Sequence, residues 1–419
     1  MRIRINLIIS IALFIVFYTG FQGGRYYLAN RVQEIGLLFS IILFFYSAFI
    51  ANFNVRDKDL KWNWWFFSTL FFIAYTFILP AYVFSINQDV AVLPSIMASR
   101  EFLIAFIGPA IYFLYRIGYD IETIEKVFII ALVALALNYL FHYFRMDLRA
   151  AFYSSDHTVS GLVTYDPWRG YRLKPSSIAL FILSILTPLL IFQSKRITKK
   201  ILWFVMFMIL GYIWFLVQAR SMAASLILTL LMYPFFFSKK SRLSLLFFAL
   251  PFIVLGFVSL TTYLIDHMAS NGPNDAVRLR SFSIAWDSIK QNPFLGFGQQ
   301  SNFTKTEQEI LWYKFYSADI GILGVTFKYG FIGMLTYVFF SFFLVQRLIR
   351  TLWLYKSAYG QINPLMFSIM ILLLTFLINM ILHTSMIFIQ GLTIASFAIG
   401  LSSAWLHKIR SDLSNKSPT

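Results

Sequence analysis

Apolar and polar positions do not alternate along this chain; the apolar ones arrive in blocks. Each block approaches the roughly 20 residues that a helix needs to cross the hydrocarbon core of a bilayer. The blocks predict helices at about 5–20, 35–53, 62–86, 97–117, 125–144, 175–193, 200–217, 222–238, 243–265, 318–345, 362–383 and 385–406. The expected fold is therefore an all-α polytopic membrane protein of about twelve transmembrane helices, one integral membrane domain over residues 1–419. The first block has a basic start but no small-residue cleavage site after it, and so reads as a retained span.

The polar connections orient these spans. "NVRDKDLK" (54–61), "SKRITKK" (194–200), "SKKSR" (238–242), "QRLIRTLWLYK" (346–356) and "HKIR" (407–410) all fall on one side if the N-terminus is cytoplasmic. Short basic connections mark the cytoplasmic face. The other face receives "NQDVAVLPS" (87–95), without a positive charge, and two long loops, 145–174 and 266–317. Long external loops are usually functional.

The larger loop contains "AVRLRSFSIAWDSIKQNPFLGFGQQSNF" (276–303). Pro273, Asn274 and Asp275 offer a helix start, and Asn292-Pro293 a stop. Between them Leu279, Phe282, Trp286 and Ile289 recur at helical spacing, which predicts one apolar face opposite Arg278, Arg280 and Lys290. Such a helix lies at the membrane surface and either meets anionic headgroups or grips the phosphate of a lipid-linked substrate. Two other stretches place cations on the same face. Arg220 stands in "FLVQARSMAASLIL" (215–228), between two apolar blocks. Arg169, Arg172 and Lys174 alternate with Tyr165, Trp168 and Tyr171 in "YDPWRGYRLKPSSIAL" (165–180), a mixture that suits phosphate and stacked sugar faces or a headgroup interface equally.

Composition narrows the class. Hydrophobic residues make up 59% and charged ones only 13%, which excludes an ordinary soluble fold. The net charge of +17 is mostly the topology signal and does not point to nucleic acid. Cysteine is absent, so thiol chemistry is excluded; no Asp-x-Asp motif or His-rich ligand cluster suggests a metal, and no cofactor is expected.

In this order, "ARS" (219–221), "RLRSFSIAWDSIKQNPFLGFG" (278–298) and "DIGILGVTFKYGFIG" (319–333) resemble the O-antigen ligase and O-antigen polymerase superfamily of bacterial envelope glycosyltransferases. The resemblance implies a multi-pass protein of the bacterial cytoplasmic membrane, with its site facing the periplasm or exterior. It implies transfer of a glycan from undecaprenyl diphosphate to an acceptor hydroxyl, in the company of the bilayer and of chain-length regulator and flippase proteins. Arg220 and Arg278 are then the expected diphosphate clamp, with Arg280 as a third cation. Asp319 stands where ligases typically carry histidine, and this favours a polymerase of surface polysaccharide over a ligase acting on lipid A core or protein. Asp319 would accept the acceptor's proton or orient its hydroxyl, unless it only starts a helix; His267 is a second candidate base. Lys328, about 15 Å into its helix, is expected to face the bundle or a cavity. A transporter or flippase of an anionic lipid-linked glycan shares the span count and stays open at this point.

Overall fold

The computed structural model describes residues 2–21, 31–54, 64–166, 170–217, 273–298, 315, 317–380 and 389–414. Helices dominate: α1 (Arg2–Phe21), α2 (Arg31–Asn54), α3 (Trp64–Asn87), α4 (Val92–Ala98), α5 (Ile107–Arg116), α6 (Ile121–Arg145), the short α7 (Leu148–Phe152) and α8 (His157–Ser160), α9 (Ser177–Gln193) and α10 (Ile197–Val217). They continue with α11 (Pro273–Gln291), α12 (Ile322–Tyr359), α13 (Pro364–Asn379) and α14 (Ile389–Ser414). Among the described residues, five helices are long and apolar enough to cross a membrane and five shorter helices are apolar. The spans expected at 222–238 and 243–265 lie outside the described residues.

Contacts sort the helix ends into two groups. Ser10 of α1 meets the Tyr119 hydroxyl at 2.6 Å, and Lys408 of α14 pairs with Glu122 of α6. The start of α1 and the finish of α14 therefore share one end of the bundle, called here the terminal end. At the other, the loop end, the Ser176 hydroxyl donates to the carbonyl of Phe21 and Asn87 reaches the segment after α11.

The block read as one helix over 97–117 is broken. Its residues form the tail of α4, a 3₁₀ turn over Arg100–Phe106 and α5. A tightened turn disturbs the regular hydrogen-bond ladder, and two hydroxyls from neighbouring helices supply partners: Ser40 Oγ donates to Ile104 O at 2.9 Å and Ser396 Oγ to Ala105 O. Backbone breaks at membrane depth survive where such partners exist. Next to the break, a Cβ on Gly108 or Gly400 would overlap the backbone of the other's helix, so α5 and α14 cross at a small-residue contact. Arg100 pairs with Glu34 at 2.5 Å on the exposed side of this region.

The loop expected over 145–174 is also structured. After α7 and α8, strands β1 (Val163–Asp166) and β2 (Gly170–Leu173) form an antiparallel hairpin with Thr164 opposite Arg172 and Tyr165 opposite Tyr171. Strand alternation puts Tyr165 and Tyr171 on one face, their rings 4.7 Å apart, and Arg172 on the other.

Candidate active site at the loop end

α11 forms where the sequence predicts it, and its expected apolar face divides, with Ile289 alone of the four packed against the protein. Ser281, Ala285 and Ile289 are buried, whereas Leu279, Phe282 and Trp286 are about half exposed. The packing face is thus built around small residues, with Ala285 and Ile289 resting on Phe315, Ile320 and Phe327. Close approach to the start of α12 requires small side chains, and this outweighs the pull to bury the bulky ones. Those form a second, outward sector. A third, polar sector holds Arg280, Asp287 and Lys290, whose ammonium meets the Asp287 carboxylate at 3.3 Å and lies 5.9 Å from the Trp286 ring.

The segment after α11 locks into a break in α12. Gly330 sits inside that helix at φ 67°, ψ −175°, far outside helical values. The amide of Phe331 accordingly donates to Pro293 O at 2.8 Å, away from its own helix. The carbonyls of Phe327 and Lys328 accept instead from the amides of Phe297 (2.7 Å) and Gly298 (3.1 Å). The sequence Asn-Pro-Phe-Leu-Gly-Phe-Gly therefore completes the hydrogen bonding that the break leaves open, as buried backbone requires.

Glycine is needed at each joint for a stated reason. A Cβ on Gly330 would overlap the Phe294 carbonyl, one on Gly296 would come within 2.5 Å of the Gly330 nitrogen, and one on Gly298 would overlap the backbone of α3 at Phe84. All three residues also have positive φ. Asn87, the last residue of α3, fastens the same turn by donating from Nδ2 to Phe297 O (3.0 Å) and Gly296 O (3.4 Å). Sequence reasoning missed Asn87, because a polar residue at a helix end has many uses.

The expected site residues can now be placed. Lys328 is 4% exposed and sits inside this junction, which agrees with the expectation that it faces the protein. Arg278 lies in the second turn of α11. Asp319 lies in a 3₁₀ turn over Ser317–Ile320, just ahead of Gly321 and α12. Arg172 and Lys174 belong to the hairpin region: Arg172 Nη1 donates to Val217 O, the last residue of α10, at 3.2 Å, and Lys174 Nζ to Gly161 O at 2.8 Å. Arg172 thus stands beside the chain that leads to Arg220. Arg220, His267, Trp168 and Arg169 lie outside the described residues.

Residues 204–338 match the protein family described as O-antigen ligase. Over this third of its length the chain is similar to that family. The matched third of the chain contains positions 220, 267, 278, 280, 319 and 328, and with them the whole α11–α12 junction. The match points to glycosyltransferase activity of the O-antigen ligase or polymerase type, on a lipid-linked glycan, in a multi-pass membrane protein. No curated protein and no solved structure matches significantly.

Proposed function

We propose that this protein is a polymerase that joins oligosaccharide repeat units carried on undecaprenyl diphosphate into a surface polysaccharide, at the outer face of the bacterial cytoplasmic membrane. The family match over 204–338 carries this reading. The backbone bonds that hold the segment after α11 to α12 support it, since they join two parts of the matched region.

In the proposed reaction the acceptor hydroxyl oxygen bonds to the anomeric carbon of the donor glycan. The bond from that carbon to the diphosphate breaks, and the diphosphate leaves with the electron pair. Arg220 and Arg278 stabilise the charge that grows on it, with Arg280 as a third cation. Asp319 takes the acceptor's proton, with His267 as the alternative base. Lys328 sets a positive charge beneath the site, and the hairpin's Trp168, Arg169, Arg172 and Lys174 meet the glycan or its phosphates. The scheme uses no metal or cofactor. It calls for a flippase to deliver the donor and a chain-length regulator to limit the product. Both chain termini then lie in the cytoplasm.

The family's description as O-antigen ligase favours a second reading, transfer of finished glycan to lipid A core or protein. Asp319 in place of the ligase histidine weighs towards polymerisation. Deletion separates the two: loss of a polymerase leaves single-repeat products, and loss of a ligase leaves long chains on the carrier lipid. The direct test is charge reversal. Arg220→Glu and Arg278→Glu should each abolish transfer from the lipid-linked repeat unit by purified protein in liposomes, with insertion and monodispersity retained. Wild-type turnover in both removes the clamp. Movement of the lipid-linked glycan across the bilayer without any transfer makes the protein a transporter.

A further inference from the structure

The hairpin and α7 carry an aromatic cluster that the scheme above leaves unused. Tyr165 of β1 and Tyr171 of β2 stand 4.7 Å apart, ring centre to ring centre, and Tyr153, which follows α7, lies 6.3 Å from Tyr171. The Tyr171 hydroxyl donates to that of Tyr153 at 3.4 Å. Phe152 backs the group, 5.5 Å from Tyr171 and 6.0 Å from Tyr165. Strand alternation keeps Arg172 on the other face, where it bonds the end of α10. Packing does not bury the cluster: Tyr153 is 70% exposed and Tyr165 49%.

Its neighbours place the cluster in water. α6 has 25 residues, about 37 Å at 1.5 Å per residue, enough to cross a hydrocarbon core of about 30 Å before α7 begins. The segments that carry the rings also carry exposed Asp147, Arg149, Ser155, Asp156 and Lys174, which hydrocarbon would not accommodate. The exposed side chains over residues 201–208 of α10 make the contrast: Leu202, Phe204, Val205 and Met208 are among them, and no hydroxyl is. A lipid-facing surface of this protein is hydrocarbon and thioether, and the tyrosine cluster is of another kind.

Charge on these segments has both signs. Asp147 and Asp156 offset Arg149 and Lys174, so the patch does not select an anion. A pyranose matches what is left. One face of such a sugar is C–H and lies on an aromatic ring, while the hydroxyls at its rim exchange hydrogen bonds with phenols. Tyrosine offers this contact on a large, rigid side chain that loses little entropy when it is used.

We infer that Tyr153, Tyr165 and Tyr171 form a subsite for uncharged sugar rings of the growing polysaccharide, away from the bond being made. The inference rests on the polymerase reading for its ligand and adds to it a hold on distant repeat units. A catalyst with such a hold binds long acceptors more tightly than single repeat units and passes both through the same chemical step.

The full chain in phosphatidylcholine nanodiscs is titrated into end-labelled polysaccharide, taken from the surface of the bacterium that makes the protein, and binding is read by fluorescence anisotropy. Tyr153→Ala and Tyr165→Ala should each weaken binding about five-fold, the effect of one aromatic contact. Tyr153→Trp, which keeps a ring, should retain it, and Arg350→Ala, at the terminal end, should change nothing. In transfer assays Tyr153→Ala should raise KM for long acceptors about five-fold at unchanged kcat and leave single-repeat acceptors as in the wild type. Should Tyr165→Ala fail to fold, the more exposed Tyr153 decides. No binding by the wild-type chain overturns the proposal, as does unchanged binding in Tyr153→Ala. Complete competition by inorganic phosphate also overturns it, because the patch would then read charge. The chain has no cysteine, so Tyr153→Cys takes a single bimane label. Quenching of that label by brominated phosphatidylcholine would give the cluster to the bilayer and overturn the subsite. A wild-type chain that binds polysaccharide but never transfers a repeat unit removes the polymerase reading; loss of binding in Tyr153→Ala would still uphold the subsite.

Discussion

Where the turn after α11 meets α12 the backbone itself makes the joint, whereas at the terminal end side chains make several of them. The turn after α11 is fastened to α12 by three backbone amide bonds, and its glycines stand too close to α12 and α3 to admit a Cβ. Opposite, the Glu125 carboxylate accepts from Asn363 Nδ2 and Trp405 Nε1 at 2.7 Å each, joining α6, α13 and α14. Arg347 donates to the hydroxyls of Ser402 (3.1 Å) and Ser403 (2.7 Å), Arg116 meets His407 at 2.6 Å, and Tyr359 donates to Asp412 at 2.5 Å.

The comparison breaks most severely at Gly330. Gly330→Ala combines a positive φ with overlap on the Phe294 carbonyl, and should cost on the order of 3 kcal/mol or more. Gly360→Ala is the matched control: φ is 73° there, but nothing lies within 4 Å of the added carbon, so only about 1 kcal/mol is expected. Thermal unfolding in detergent measures both. Equal losses would mean that backbone strain, and not close approach, makes the joint.

At the terminal end Glu125→Ala should cost roughly 2 kcal/mol, because the amide of Asn363 and the indole N–H of Trp405 lose their shared acceptor. Glu125→Gln keeps an acceptor oxygen and should recover most of that. Neither should alter glycan transfer by the protein that remains folded. A fall in turnover with an unchanged melting temperature would show that the rivets also serve the reaction.

Asn87→Ala sharpens the contrast, since Asn87 supplies a side-chain bond at the backbone-built end. Its loss should cost about 1 kcal/mol. Melting should shift less than in Gly330→Ala, while transfer falls because the turn that carries α11 loosens.

Much of this division was legible in the sequence and part of it was not. Blocks of apolar residues locate the spans, and Asn292-Pro293 with Gly296 and Gly298 locates the turn. The protein-facing side of α11 was not read: Leu279, Phe282 and Trp286 dominate any hydrophobic pattern, yet Ser281, Ala285 and Ile289 are the buried ones. Near a bilayer, apolarity does not distinguish a protein-facing side from a lipid-facing one, and small size marks the packing face better. The break at 100–106 escaped detection because its partners, Ser40 and Ser396, come from distant spans. The hairpin was hidden by the basic and aromatic alternation that suggested an open loop. Glu125 carried a signal that could have been used, an ionisable residue at the start of an apolar block.

The smallest expected effect tests the edge of the riveted end. Asp120 caps α6 by accepting from the amide and hydroxyl of Thr123 at 3.0 and 2.8 Å. Hydrogen bonding with Glu122, then with Thr123, holds its carboxyl below the ordinary value against the opposing effect of burial, and the nearby Lys408 charge adds to this. A depressed carboxyl contributes stability that is present above its unfolded value, about pH 4, and is lost as pH falls through the folded one. Asp120→Ala should cost about 1 kcal/mol at neutral pH, and Asp120→Asn, which still caps, a few tenths. Melting curves of the wild type and Asp120→Asn should then converge below about pH 4, where the aspartate is protonating and the asparagine is unchanged. Curves that stay parallel well below that pH would leave Asp120 as a cap alone.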